Sequence, residues 1–498
     1  MKLIAGPWSP DQPAFGNPGL VRAENVIPAA NHYLPFPQAT SLGISGLSGQ
    51  AEGMTVATPP TATSPVLFAA FGGRIWRIPG SSSAPVDVSQ DIDYGYSMAV
   101  GDRWRWLQYG SLQLAASINA EVQQFDLTNL AGTFADLSGA PKAQFIAGIR
   151  DFVMLGDVDE APDGRVRQRL RWHGFNASSG LPDPTEWTIS LETRSDFNDV
   201  PDLGEMTGLT GGQFGIALFK HGIARIDFGG DLLFSIPVVD SNIGCEVPGS
   251  VVQYGAETYF WSDEGIFKTA GGPAVPVGTE RVNRWLQDNF DLSQSDQVWA
   301  QPDYSKGIIV WLFPGAGDMR RGLIYRPAVD QFSNIPTLEV QSLGPTVSFG
   351  LDLDDEYEWP DLDTDPRNLD DPRLWVGGFL RLGAQTVDNY DDAGDLASFD
   401  GQPMNALLQW SELEPQEGGR SAATHALAFH DGGTATITIR SRERVADSLV
   451  TKGPFKVQGD GWFRMRACGR FHQPRLELTG TWATARGLDL RFASLGWR

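Results

Sequence analysis

The side chains best placed to do chemistry in this chain are acidic. Asp361-Leu362-Asp363-Thr364-Asp365 puts three carboxylates at alternating positions, the opening of a calcium-binding loop. The pattern then stops. Pro366 stands sixth, where the sharp turn needs Gly, and Pro372 stands twelfth, where a bidentate Glu is needed. The stretch therefore reads as a solvated acidic loop and no metal is assigned to it. Six histidines lie at positions 32, 173, 221, 425, 430 and 472, and His425 and His430 are poorly spaced to share one ion. No Gly-x-Ser-x-Gly elbow, His-Glu-x-x-His, Gly-x-x-x-x-Gly-Lys-Ser/Thr loop or Cys-x-x-Cys occurs in the sequence. The expectation is a non-enzyme, with no catalytic residue, cofactor or metal.

Sugar chemistry is the alternative. Ser262-Asp263-Glu264-Gly265-Ile266-Phe267 resembles the Asp-box turn of sialidase-like propellers, where the Asp holds a turn between strands. A glycosidase also needs two carboxylates set across a sugar, and 61 acidic residues nominate no particular pair. The 16 Trp could stack on sugars, but strand alternation places most of them inside a core. A carbohydrate-active or glycan-binding propeller is thus the second reading.

The elements that must position these residues are strands. From Pro65 onward an apolar run meets a Gly or Asp turn and a second apolar run follows, as in Val66-Leu67-Phe68-Ala69-Ala70-Phe71, Gly72-Gly73 and Ile75-Trp76-Arg77-Ile78. Later copies run through Trp104-Arg105-Trp106-Leu107, Phe145 to Ile149, Phe214 to Phe219, Thr258 to Trp261 and Ile308 to Trp311. Their spacing of about 40 to 65 residues predicts an all-β chain built as a β-propeller of about six blades. One helix is expected between Thr279 and Phe290, with Thr279 as its cap and Val282, Trp285 and Leu286 on one face.

The domain reading follows composition. Residues 1–60 form an extended Pro-rich arm, 61–340 the blades, 341–403 an acidic loop-rich insertion, and 404–498 a basic β region that closes or flanks the ring. Prolines deny the arm both helix and central strand, yet Trp, Phe, Tyr and Ile interleave with them, so the arm is expected to dock on a neighbour. Trp8, Ile27, Tyr33 and Phe36 are its candidate contacts. Residues 351–372 hold ten acids against Arg367 alone, which marks an exposed loop.

Charge divides the chain. Net charge is −23, but residues 434–498 hold twelve Lys or Arg against five Asp or Glu, leaving the other 433 residues at −30. Such a surface does not bind duplex DNA along its length and can instead repel it. Arg440, Arg442, Arg444 and Arg464 are candidate contacts on the basic side. Cys245 and Cys468 are too few for a disulfide framework, which points to folding in a reducing cytoplasm. Pro7 arrives before any signal-peptide run, and no apolar stretch approaches the ~20 residues that span a bilayer, so no membrane partner is expected.

The string Pro7-Trp8-Ser9-Pro10-Asp11-Gln12-Pro13, then Asn17-Pro18-Gly19-Leu20, Ala23-Glu24-Asn25-Val26-Ile27-Pro28 and Tyr33-Leu34-Pro35-Phe36-Pro37, resembles the opening of tail-hub (nozzle) proteins of short-tailed bacteriophages, also called packaged-DNA stabilisation proteins. Ser262 to Phe267, Pro276-Val277-Gly278, Arg281-Val282-Asn283-Arg284-Trp285, Pro302-Asp303-Tyr304 and Val310-Trp311 are similar to that family's middle. Gly469-Arg470-Phe471-His472 and Trp482-Ala483 with Ala485 and Gly487 are similar to its closing strands. The resemblance implies a structural protein of the virion tail, assembled in the host cytoplasm as a homo-oligomeric ring of six copies. Its partners would be the portal-adaptor protein and the tail fibre, tailspike or needle. Packaged DNA would pass through the lumen without sequence-specific binding.

Overall fold

Paired glycines set the local geometry. In blade one, Val66–Phe71 turns back into Arg74–Ile78 through Gly72 and Gly73, at φ of 54° and 75°, the positive values a two-residue hairpin turn demands. The computed structural model describes the chain except residues 14, 45, 61–63, 81–83, 92, 230–232, 316–318, 349–379, 389–392 and 497–498. The acidic stretch 351–372, with its calcium-like Asp361 to Asp365, lies outside the described residues.

Six antiparallel blades follow one another along the chain. Blade one runs from Ala51–Ala57 through Val66–Phe71 and Arg74–Ile78 to Val86–Asp87, and blade two from Arg105–Tyr109 to Ala135–Asp136. Blade three spans Lys142–Ile149 to Asp196–Asp199, and blade four Met206–Thr210 to Val238–Asp240. Blade five spans Val252–Tyr254 to Val275–Pro276, and blade six Trp299–Asp303 to Gln331–Leu338. The first strands of blades one to four touch in succession, as do those of blades five and six, and Ser342–Val347 bridges the first strand of blade six to that of blade one. The six-blade β-propeller read from the hairpin spacing is what the chain forms.

A further sheet sits between blade six and blade one. It is built from Ser342–Val347, Leu380–Asp388 and Ala393–Pro403, edged by Pro37–Ser41 and Leu47–Ser48 from the other end of the chain. Leu343, Leu382 and Phe399 share a core with Ile308, Val310 and Ile324 of blade six, while Val347 and Leu396 share one with Met54 and Leu67 of blade one. What was expected as a loop-rich insertion therefore contributes strands at both its ends. Acidic composition concealed them.

The C-terminal region is a β unit fused to the propeller. Two long strands, Arg420–Arg442 and Phe471–Gly496, pair along most of their length and bend at bulges near Gly432 and Gly433. The outer strand of blade six touches Leu20–Glu24, which pairs with Ala406–Trp410, which pairs with Phe471–Gly496, making one 13-stranded sheet. The largest buried cluster crosses this seam, from Trp261 and Trp311 of the blades to Leu476 and Leu490.

The N-terminal segment corrects the expectation of a separate arm. It is extended, as its prolines require, but it lies on its own chain. Lys2–Ile4 pairs with residues 487–489, and Val26–Ala29 forms a hairpin with His32–Pro35. Blade one already begins at Ala51, inside the segment assigned to the arm. The helix is also shorter than expected, Asn283–Asn289, with Val282 and Leu286 buried as foreseen. Its cap is Asp11 rather than Thr279.

Candidate functional site

The eight candidate contacts separate sharply once placed. Trp8, Ile27, Tyr33 and Phe36 are 2%, 3%, 0% and 0% exposed. Trp8 meets Trp285 edge to face at 5.0 Å and donates its indole N–H to the Val21 carbonyl at 3.1 Å. Tyr33 donates its hydroxyl to the Gly6 carbonyl at 2.9 Å, and Phe36 packs on Phe399 at 5.3 Å. These side chains fill the chain's own core, so they are not free contacts for a neighbour. The physical reason is general: apolar residues among prolines need a surface, and the nearest surface is the chain's own.

The arginines differ among themselves. Arg442 makes a two-pronged ion pair with Glu412, both bonds at 2.8 Å, and Glu412 is buried. Arg440 donates to the Gln473 side chain at 3.2 Å. Arg444 is exposed, and Arg464 is exposed with an ion pair to Asp460 at 3.1 Å. Two of the four thus remain on the surface. Arg466 joins them, because Phe463–Gly469 alternates buried and exposed positions and turns Arg464, Arg466 and Cys468 outward together. Arg491 stacks beside them on Trp462 at 4.1 Å.

A second constellation went unread in the sequence. The first strands of blades one, two and six start around a cavity of about 270 Å³ lined by Gln50, Arg103, Asp296, Trp299, Arg320 and Gln341 among others. Arg103 is buried, lies over the Trp299 ring at 3.9 Å, and donates to the backbone carbonyls of Val298, at 2.8 Å, and Asp296. Arg320 donates to the Gln297 side chain at 3.0 Å. Burial pushes both guanidinium groups down from their ordinary value, and Arg105 is lowered to about 10 for the same reason. On the first strand of blade one, Glu52 accepts from the Gly73 amide at 2.8 Å while its other oxygen is buried without a partner. Burial raises its carboxyl to about 7. Trp104-Arg105-Trp106-Leu107 reads along the chain as an ordinary blade strand; the Gly101-Asp102-Arg103 entry ahead of it was the available signal.

The turn that resembles an Asp-box is held differently. Ser262 donates to Asp263 at 2.7 Å, but the turn is pinned from outside by Asn283, which accepts from the Ile266 amide at 3.2 Å and donates to the Glu264 carbonyl at 3.2 Å. Gly265 at φ 130° fits because any Cβ there would lie 2.1 Å from Asn283. Grooves of about 510 and 430 Å³ flank the helix next to this turn. Asp11 is consumed as the helix cap, and Trp261 is buried in the blade core.

The histidines serve the interior or the surface. His173 is buried against Phe152 at 5.1 Å and burial lowers it to about 4. His472 is buried between the hydroxyls of Ser421 and Ser441, at 2.9 and 3.0 Å, without a carboxylate bonded to its ring. Among the described residues no group of three or more His, Cys, Asp or Glu could hold a metal ion. Cys245 is buried and Cys468 exposed, both free thiols. No described helix is long and apolar enough to cross a membrane.

No family model matches the chain, and no curated protein matches it. Among solved structures, a chain of the mitotic checkpoint complex is similar at 10% identity and a TM-score of 0.40, over 75% of this chain and 97% of that one. BamB from Moraxella catarrhalis is similar at 12% identity and a TM-score of 0.35, over 76% and 95%. The computationally designed Ika8 protein gives 10% identity and 0.36, over 72% and 100%. Likenesses this distant carry no argument about activity.

Proposed function

We propose that the chain is a non-enzymatic subunit of the tail hub, or nozzle, of a short-tailed bacteriophage. Six copies would form a ring beneath the portal-adaptor protein, hold packaged DNA in, and later pass it outward, with a tail fibre, tailspike or needle as further neighbours. The reading rests on the ordered motifs of the sequence, and one structural observation supports it best. Arg444, Arg464 and Arg466 are exposed in the basic C-terminal region, which the shared 13-stranded sheet joins to the acidic remainder. A rigid body with opposite charge at different places suits head-to-tail closure of a ring, and an acidic bore suits DNA that must slide without sticking. Mass measurement and low-resolution imaging of the purified protein, alone and with adaptor protein, test this. A persistent monomer that ignores the adaptor overturns it.

A glycan-binding propeller remains the second reading, favoured by the two grooves beside the Ser262 to Phe267 turn. Binding on a glycan array that is lost in Glu264→Gln or Arg284→Gln would move the conclusion to it.

A further inference from the structure

We propose that the cavity at the entry to blades one, two and six is a binding site for a phosphate group, held by Arg103 and Arg320. The inference is independent of the tail-hub reading. Two guanidinium groups, those of Arg103 and Arg320, line this cavity, and among the described residues neither makes an ion pair within 4.0 Å. Asp296 is the one carboxylate lining the cavity.

The lining therefore carries a surplus of about one positive charge, which the negative charge of a phosphate offsets. The hydrogen-bonding inventory leans the same way. Arg103 finds only backbone carbonyls, and the indole N–H of Trp106 is buried with no acceptor. A Cβ at Gly53 would lie 3.5 Å from the Trp106 indole nitrogen and 3.7 Å from the Trp299 ring, which sets that idle donor close to a ring that lines the cavity. Buried polar groups are normally paired, and buried charges normally compensated. A corner with surplus donors and surplus positive charge is completed by an anion. Stacking on Trp299 fixes the Arg103 plane, which favours the forked recognition that phosphate and guanidinium make. The phosphate could be free or belong to a nucleic-acid strand end, and the cavity of about 270 Å³ admits one such group.

Titration calorimetry of the full-length protein with inorganic phosphate, against chloride at equal ionic strength, tests the site. Saturable binding is expected, weakened about tenfold or more in Arg320→Gln, since a charge-assisted pair is lost. Asp296→Asn should tighten binding severalfold by removing the competing carboxylate, and it keeps the test decisive should the arginine variant fail to fold. A 5′-phosphorylated dinucleotide that binds more tightly than phosphate, with the same dependence on Arg320, identifies a strand end as the source; weaker binding identifies free phosphate. Absence of saturable heat in the unaltered protein, or affinity indifferent to both substitutions, overturns the proposal.

Discussion

Asp11 caps the helix at Trp285: its two carboxylate oxygens accept the backbone amides of Arg284 and Trp285 at 3.0 and 2.8 Å. Helix amides near the start lack partners inside the helix, and a carboxylate both satisfies them and meets the positive end of the dipole. The residue that does this stands in the proline-rich opening of the chain, and Trp8 of the same segment packs on Trp285. The N-terminal segment is thereby part of blade five's support.

Removing residues 1–37 should therefore unfold the chain or lower its melting transition steeply, since strands at Lys2–Ile4 and Leu20–Glu24 and four buried aromatic or aliphatic anchors go with it. A truncated protein that melts at the full-length temperature would contradict the integrated placement. Asp11→Ala alone should cost about 1 kcal/mol, the usual value of a lost cap.

The Glu412–Arg442 pair gives a second measurement. Arg442→Gln leaves Glu412 buried and unpaired, which should cost about 3–5 kcal/mol. Glu412→Gln combined with Arg442→Gln should recover a large part of that loss. Equal destabilisation by the single and double variants in denaturant titrations would show the charges do not interact.

Glu52 predicts a pH dependence. Its carboxyl titrates near 7 when folded and near 4.5 when unfolded, so the folded state holds the proton more tightly. Stability from this group is present below pH 4.5 and falls as pH rises toward 7, by about 3 kcal/mol at most. Glu52→Gln should flatten the change in melting temperature between pH 5 and pH 8 and be the more stable protein at the upper end. The same slope in both proteins would assign the dependence elsewhere.

Charge reversal at Arg444, Arg464 and Arg466 should weaken ring formation or adaptor docking while leaving the melting temperature nearly unchanged, and raising salt should imitate it. Exposed pairs are worth about 0–1 kcal/mol each, so the effect accumulates only over a closed ring. Arg442 is excluded from this set because its partner is internal. Assembly that tolerates both treatments would make the interface apolar.

Much of the fold was legible because its signals are local. Val66 to Ile78 carries two apolar runs and a Gly pair within thirteen residues, and that is sufficient to specify a hairpin. The helical face of Val282 and Leu286 was legible for the same reason. The cap was not, since Asp11 and Trp285 meet only after the propeller has formed. The prolines of the opening segment correctly denied helix, but they say nothing about which surface an extended chain will lie on. Alternation likewise marked Arg105 as a strand residue without showing that Arg103 and Arg320, more than two hundred positions apart, face one cavity.

The ring is fastened by strands from opposite ends of the chain. Pro37–Ser41 waits for Ala393–Pro403, and Lys2–Ile4 waits for residues 487–489. On the ribosome, then, blades one to five can form as they emerge, while Lys2–Ile4 and Pro37–Ser41 have no strand partner until nearly everything else has been made. Contacts so distant in sequence are slow to close and leave apolar surface uncovered meanwhile. This chain's vulnerable period is its birth, with Trp8, Tyr33 and Phe36 as the surfaces a chaperone would find bare.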